Sequence, residues 1–170
     1  NLANILRAFE AYKKQTGADT RFVVVGTRAG KQDELDEVLR SMTFANDVRF
    51  VGRLSAEDLS QVMASALALV NATLFEGFGI PIVEAFNAET AVITSNVTSM
   101  PEVAGNAALL VDPYSVDEIA GAMVQIATNE TLRQDLIAKG REQRKLFSWD
   151  QTAQRLWDCG PTERNPICDT

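Results

Sequence analysis

The chain has 170 residues, 46% hydrophobic and 23% charged, with a formal net charge of −7 and no histidine. This is enough chain for one domain with a real core, and the acidic balance argues against nucleic acid or anionic lipid as the main partner. The lack of histidine removes Ser-His and Cys-His nucleophiles and the common zinc and iron sites, although local dipoles still allow a small anionic ligand.

Residues 1–15 read as a helix, because Leu2, Ile5, Leu6, Phe9 and Tyr12 keep the three-four spacing. Residues 21–25 form a β-branched and aromatic run, expected to be a buried strand with Gly26 at its carboxyl end. An amphipathic helix over 31–41 carries Leu35, Val38 and Leu39, and a second strand over 48–51 is closed by Gly52. Ser55 caps a helix running to about Ala66, with Glu57 and Asp58 in its first turn. A third strand follows over 67–71.

The stretch Glu76-Gly77-Phe78-Gly79-Ile80-Pro81-Ile82-Val83-Glu84 comes next. Two glycines flank one aromatic, and Pro81 suits the first turn of a helix that runs to Asn87. Strand, glycine turn and helix N-terminus together form an anion-binding arrangement. Glu84 has mostly apolar neighbours, so the helix is expected to be buried and its carboxylate to need a partner, either ligand hydroxyls or a structural group.

Further strands are expected over 91–94 and 107–111, the latter at an edge, with a short helix over 99–104 between them. Ser115, Asn129 and Ser148 cap three last helices, reaching residues 128, 144 and 158. Trp149 and Trp157 are expected as core anchors. Residues 159–170 read as a flexible tail; its Cys159 and Cys168 are expected as reduced thiols, with a local disulfide as the alternative. No run approaches membrane-spanning length and no signal peptide is visible, so the expected location is cytoplasmic.

Strands alternate with helices throughout, the pattern of an α/β domain with a parallel, doubly wound sheet. Such sheets bind ligands beyond the carboxyl ends of their strands. Residues 26–28, 52–54, 73–79 and 95–96 should therefore line one crevice. Taken singly, Arg28 and Arg53 read as surface cations, and Glu102 as a complement to a helix dipole.

The two glutamates separated by seven residues, with Gly-Phe-Gly-x-Pro between them, resemble the C-terminal domain of retaining GT-B glycosyltransferases, the group 1 family. The segments Val48 through Ser55, Pro101 through Pro113 and Phe147-Ser148-Trp149 extend the likeness over roughly residues 1–158. The resemblance implies a Rossmann-like domain that binds a nucleotide sugar. Glu84 would grip ribose hydroxyls, Gly77, Phe78, Gly79 and Ile80 would meet the diphosphate and sugar, and Arg53 and Leu54 would hold the base. Glu76 would lie by the donor sugar as the catalytic residue, positioning hydroxyls with electrostatic support.

The same resemblance implies retention of anomeric configuration and no metal or cofactor beyond a UDP-, GDP- or ADP-linked donor. It also implies an Arg and a Lys on a strand–loop segment just before the first helix, and an N-terminal acceptor domain. The chain opens mid-pattern without Met, so it is expected to be a piece of a larger enzyme, inactive alone and prone to self-association. Glu89-Thr90-Ala91 stands where the family commonly has a Gly-x-Pro turn. The alternatives are a non-catalytic nucleotide-binding module and a sugar-nucleotide epimerase; the absence of histidine disfavours the latter.

Overall fold

The computed structural model describes residues 1–27 and 32–158. Arg28, both cysteines and the expected tail lie outside the described residues. Helices α1 (Leu2–Thr16), α2 (Gln32–Ser41), α3 (Ala56–Ala64), α4 (Ile80–Asn87), α5 (Met100–Ala104), α6 (Val116–Thr128), α7 (Glu130–Gln143) and α8 (Trp149–Asp158) accompany five strands. These are β1 (Phe22–Val25), β2 (Val48–Gly52), β3 (Ala68–Asn71), β4 (Ala91–Ser95) and β5 (Ala108–Val111). The strands pair in parallel, in the orders β1-β2 and β3-β4-β5, so β5 is an edge, and one antiparallel bridge joins Gly26 to Gly52.

Helices cover both faces of the sheet, and alternation along the strands explains why. Val70 and Ile93 join a core with Ile5, Leu6 and Phe9 of α1 and with Ile119, Met123 and Ile126 of α6. Their neighbours Leu69 and Val92 point the other way, into a core with Ile82 and Phe86 of α4 and Met100 and Val103 of α5. Helix α7 approaches α4 closely at Gly140, where a Cβ would stand 2.7 Å from the Phe86 ring.

The sheet differs from the single sheet expected. β1 and β3 are not paired to each other, and a cleft of about 940 Å3 separates them. Only β4 is buried along its whole length. Val23 and Val25 of β1 are exposed, because the helices α1, α2 and α6 cover only the Phe22 and Val24 face. Trp149 and Trp157, expected in the core, are 83% and 82% exposed. Their helix α8 lies on the surface, with no buried residue.

The turn before β4 is left-handed at Glu89 (φ 57°), and Arg141 holds the Glu89 carboxylate at 2.6 Å. The buried Thr90 hydroxyl donates to the Met63 carbonyl at 2.7 Å. Two side-chain anchors thus hold a turn where a Gly-x-Pro sequence would rely on backbone preference.

The loop after α2 is tied to α1 through Glu10, whose side chain is 12% exposed. Glu10 accepts from Lys14 at 2.9 Å and from the N–H groups of Thr43 and Phe44 at 3.2 and 3.1 Å. Burial raises the Glu10 pKa, but these donors outweigh it and hold the carboxyl below its ordinary value. A lowered folded-state pKa gives stability that is present above the unfolded carboxylate pKa and lost as pH falls through the folded one. Glu10→Gln is expected to cost about 1 kcal/mol at neutral pH and much less in acid, read by thermal melting at both. An equal cost at both would show that charge at Glu10 is irrelevant.

Candidate functional site

The site is assembled where β3 meets α4. β3 ends at Asn71, and the loop that follows carries Glu76 to the α4 N-terminus at Gly79. Gly79 has φ 96°, a conformation that favours glycine, and is buried against Met100. Ile82 N–H bonds back to the Gly79 carbonyl at 3.0 Å. The N–H groups of Gly77, Phe78 and Gly79 have no acceptor among the described residues. Three backbone donors beside a helix N-terminus are suited to an anion.

Two serines anchor this loop to the end of β4 and the turn after it. The fully buried Ser95 donates its hydroxyl to the Thr73 carbonyl, and Ser99 donates to the Glu76 carbonyl at 2.9 Å. Phe78, 46% exposed, meets Phe147 edge-on with ring centroids 5.6 Å apart. Thr73 Oγ1 is buried without a hydrogen-bond partner among the described residues.

Glu84 is exposed, which corrects the expectation of a buried carboxylate. Helix α4 buries only Ile82, Ala85 and Phe86. Ile80, Glu84 and Asn87, spaced four and three residues apart, form its exposed stripe. Glu84 therefore sits one turn below Ile80 on the same side, and it lines the cleft between β1 and β3 together with Pro81 and Asn71. Neither the Glu84 nor the Glu76 carboxylate makes a hydrogen bond or ion pair among the described residues. Glu76 itself is half-buried.

Arg53 and Leu54 stand on a different loop. They follow β2, whose end is tied to β1 by the Gly26 N–H bonding to the Gly52 carbonyl at 2.7 Å. Arg53 is exposed, Leu54 is half-buried, and neither contacts Glu76 or Glu84 through a hydrogen bond or ion pair. The cleft between β1 and β3 is lined along the strands themselves, from Arg21 to Val25 and from Leu67 to Asn71, and by none of residues 26, 27, 52–54, 73–79, 95 and 96, so it is not the crevice expected beyond the strand ends. The sequence places Ser95 among the expected crevice residues without its bond to Thr73, and gives Ser99 no site role. Ser99 stands two residues before Pro101 and reads only as the start of a helix. Among the described residues no cluster of His, Cys, Asp and Glu could hold a metal ion, and no helix is long and apolar enough to cross a membrane.

Comparison with known proteins gives a consistent result. Residues 1–143 match the family model described as "Glycosyl transferases group 1". The chain is 34% identical over 150 residues to the O-antigen chain mannosyltransferase B of Escherichia coli, covering 88% of this chain and 39% of the relative. The sucrose-phosphate synthase of Thermosynechococcus elongatus superposes with a TM-score of 0.80 at 23% identity, over 94% of this chain and 42% of that one. The C-terminal domain of a glycosyl transferase group 1 family protein from Francisella tularensis does so with a TM-score of 0.74 at 22% identity, over 85% of this chain and 77% of that one.

Proposed function

This chain belongs to the glycosyl transferases group 1 family, and from that premise we propose that it is the donor-binding domain of a retaining, metal-independent glycosyltransferase. The observation that carries the reading is the cluster at α4: three backbone N–H groups without acceptors among the described residues, with Glu76 beside them and Glu84 one turn down the helix. A nucleoside diphosphate sugar fits these groups. The amides of Gly77, Phe78 and Gly79 take the diphosphate, Ile80 borders it, Glu84 takes the ribose hydroxyls and Glu76 the sugar. Arg53 and Leu54, on the loop after β2, hold the base. The name of the E. coli relative favours a mannosyl donor.

In the reaction the bond from the anomeric carbon to the diphosphate oxygen breaks and a bond to the acceptor oxygen forms. The acceptor proton passes to the departing diphosphate, and configuration is retained. The anomeric carbon gains positive character as negative charge grows on the leaving group. Preorganised N–H donors at the α4 N-terminus stabilise that charge. The acceptor is held by an N-terminal domain in the complete protein; the chain spans 39% of the length of the E. coli relative. The cleft between β1 and β3 suits a preceding strand, whose loop would carry an Arg and a Lys to the diphosphate.

The test is Glu76→Ala in the natural full-length protein. Transfer is expected to fall about tenfold or more, while affinity for the plain nucleoside diphosphate changes less than twofold. Equal losses in both would move Glu76 from the sugar to the diphosphate.

A further inference from the structure

Ser99 occupies the N-cap position of α5, where a serine oxygen ordinarily accepts from an amide of the first helical turn. It makes no such bond. Its hydroxyl instead donates to the Glu76 carbonyl, 23 residues back along the chain, at 2.9 Å. The preceding residue, Thr98, is held at φ 55°, a conformation that β-branched side chains rarely adopt. The next residue, Met100, is fully buried against Gly79. The start of α5 therefore abuts both ends of the loop from Glu76 to Gly79, with a hydroxyl at one end and a thioether at the other.

We propose that Ser99 is a positioning residue for sugar transfer: its hydroxyl fixes the Glu76 backbone, and through it the direction of the carboxylate and of the neighbouring N–H groups. The inference rests on the donor-site reading above. A donor is needed at this place, because the atom it serves is a carbonyl oxygen. A capping serine would need only an acceptor. That difference separates the two roles chemically, since threonine keeps the donor whereas ionised aspartate keeps only acceptors.

The experiment compares Ser99→Ala, Ser99→Thr and Ser99→Asp in the natural full-length protein, with Glu76→Ala alongside. Transfer, affinity for the nucleoside diphosphate and thermal stability are measured for each. Ser99→Ala is expected to lower kcat about tenfold, with affinity for the nucleoside diphosphate within about twofold of the parent. Ser99→Thr should restore transfer and Ser99→Asp should not. Unchanged kcat in Ser99→Ala, or restoration by Ser99→Asp as good as by Ser99→Thr, overturns the proposal and leaves Ser99 as a helix cap. If Glu76→Ala itself leaves transfer intact, the donor-site reading fails instead, whatever Ser99 does.

Discussion

Gly79→Ala is expected to destabilise the protein by about 2–6 kcal/mol and to abolish measurable donor binding. Two independent effects add. At φ 96° any side chain is strained, which costs roughly 1–3 kcal/mol. The new methyl would also stand 2.8 Å from Met100 Cε and 3.3 Å from Ile82 Cδ1, both of them fully buried side chains. Overpacking of this kind costs roughly 1–3 kcal/mol because the core cannot yield freely. Relief would come by moving the loop, which displaces the N–H groups of Gly77 and Phe78. Chemical denaturation measures the first effect and nucleotide titration the second. A variant as stable as the parent would mean that neither the left-handed turn nor the Met100 contact constrains this loop.

Glu84→Ala has the second large effect, on binding rather than on folding. The carboxylate is exposed and makes no hydrogen bond or ion pair among the described residues, so its removal is expected to change stability by less than about 0.5 kcal/mol. Two charge-assisted hydrogen bonds to ribose hydroxyls are worth roughly 3 kcal/mol once the ligand covers them, about a hundredfold in affinity. Glu84→Gln, which keeps one acceptor oxygen, should lose about tenfold. Normal melting with weakened binding is the pattern of a ligand-facing carboxylate. Normal binding with lowered melting is that of a structural one.

The element order is legible in the sequence because the strands are short apolar runs and the helices carry three-four spacing with capping serines. The run from Arg21 to Val25 is typical: β1 occupies Phe22–Val25. Burial is less legible. Near-continuous apolar sequence around Glu84 suggests a helix buried all round, but α4 leaves the stripe of Ile80, Glu84 and Asn87 exposed. Composition does not reveal which face its neighbours reach. Trp149 and Trp157 mislead in the same way, since α8 is amphipathic yet no described residue buries its apolar stripe. The gap between β1 and β3 is invisible to periodicity, which reads each strand alone and says nothing of its partner.

At the site, glycine and proline spacing marks the backbone geometry well. Gly79 is left-handed and Pro81 lies in the first turn of α4, as their residue types suggest. The contacts that hold the loop are illegible, because Ser95 and Ser99 act through sequence separations of 22 and 23 residues. A hydroxyl that donates to a distant carbonyl has no local signature. The Glu89 turn is similar, since its anchor Arg141 lies 52 residues away.

The measurement that bears most directly on the donor pocket is a calorimetric titration of the natural full-length protein, and of its Glu84→Ala variant, with UDP, GDP and ADP. The expected result is binding of one base series without added metal, weakened about a hundredfold in the variant. Binding of equal strength by parent and variant, or no binding of any of the three at millimolar concentration, would contradict a nucleotide-sugar site at Glu84.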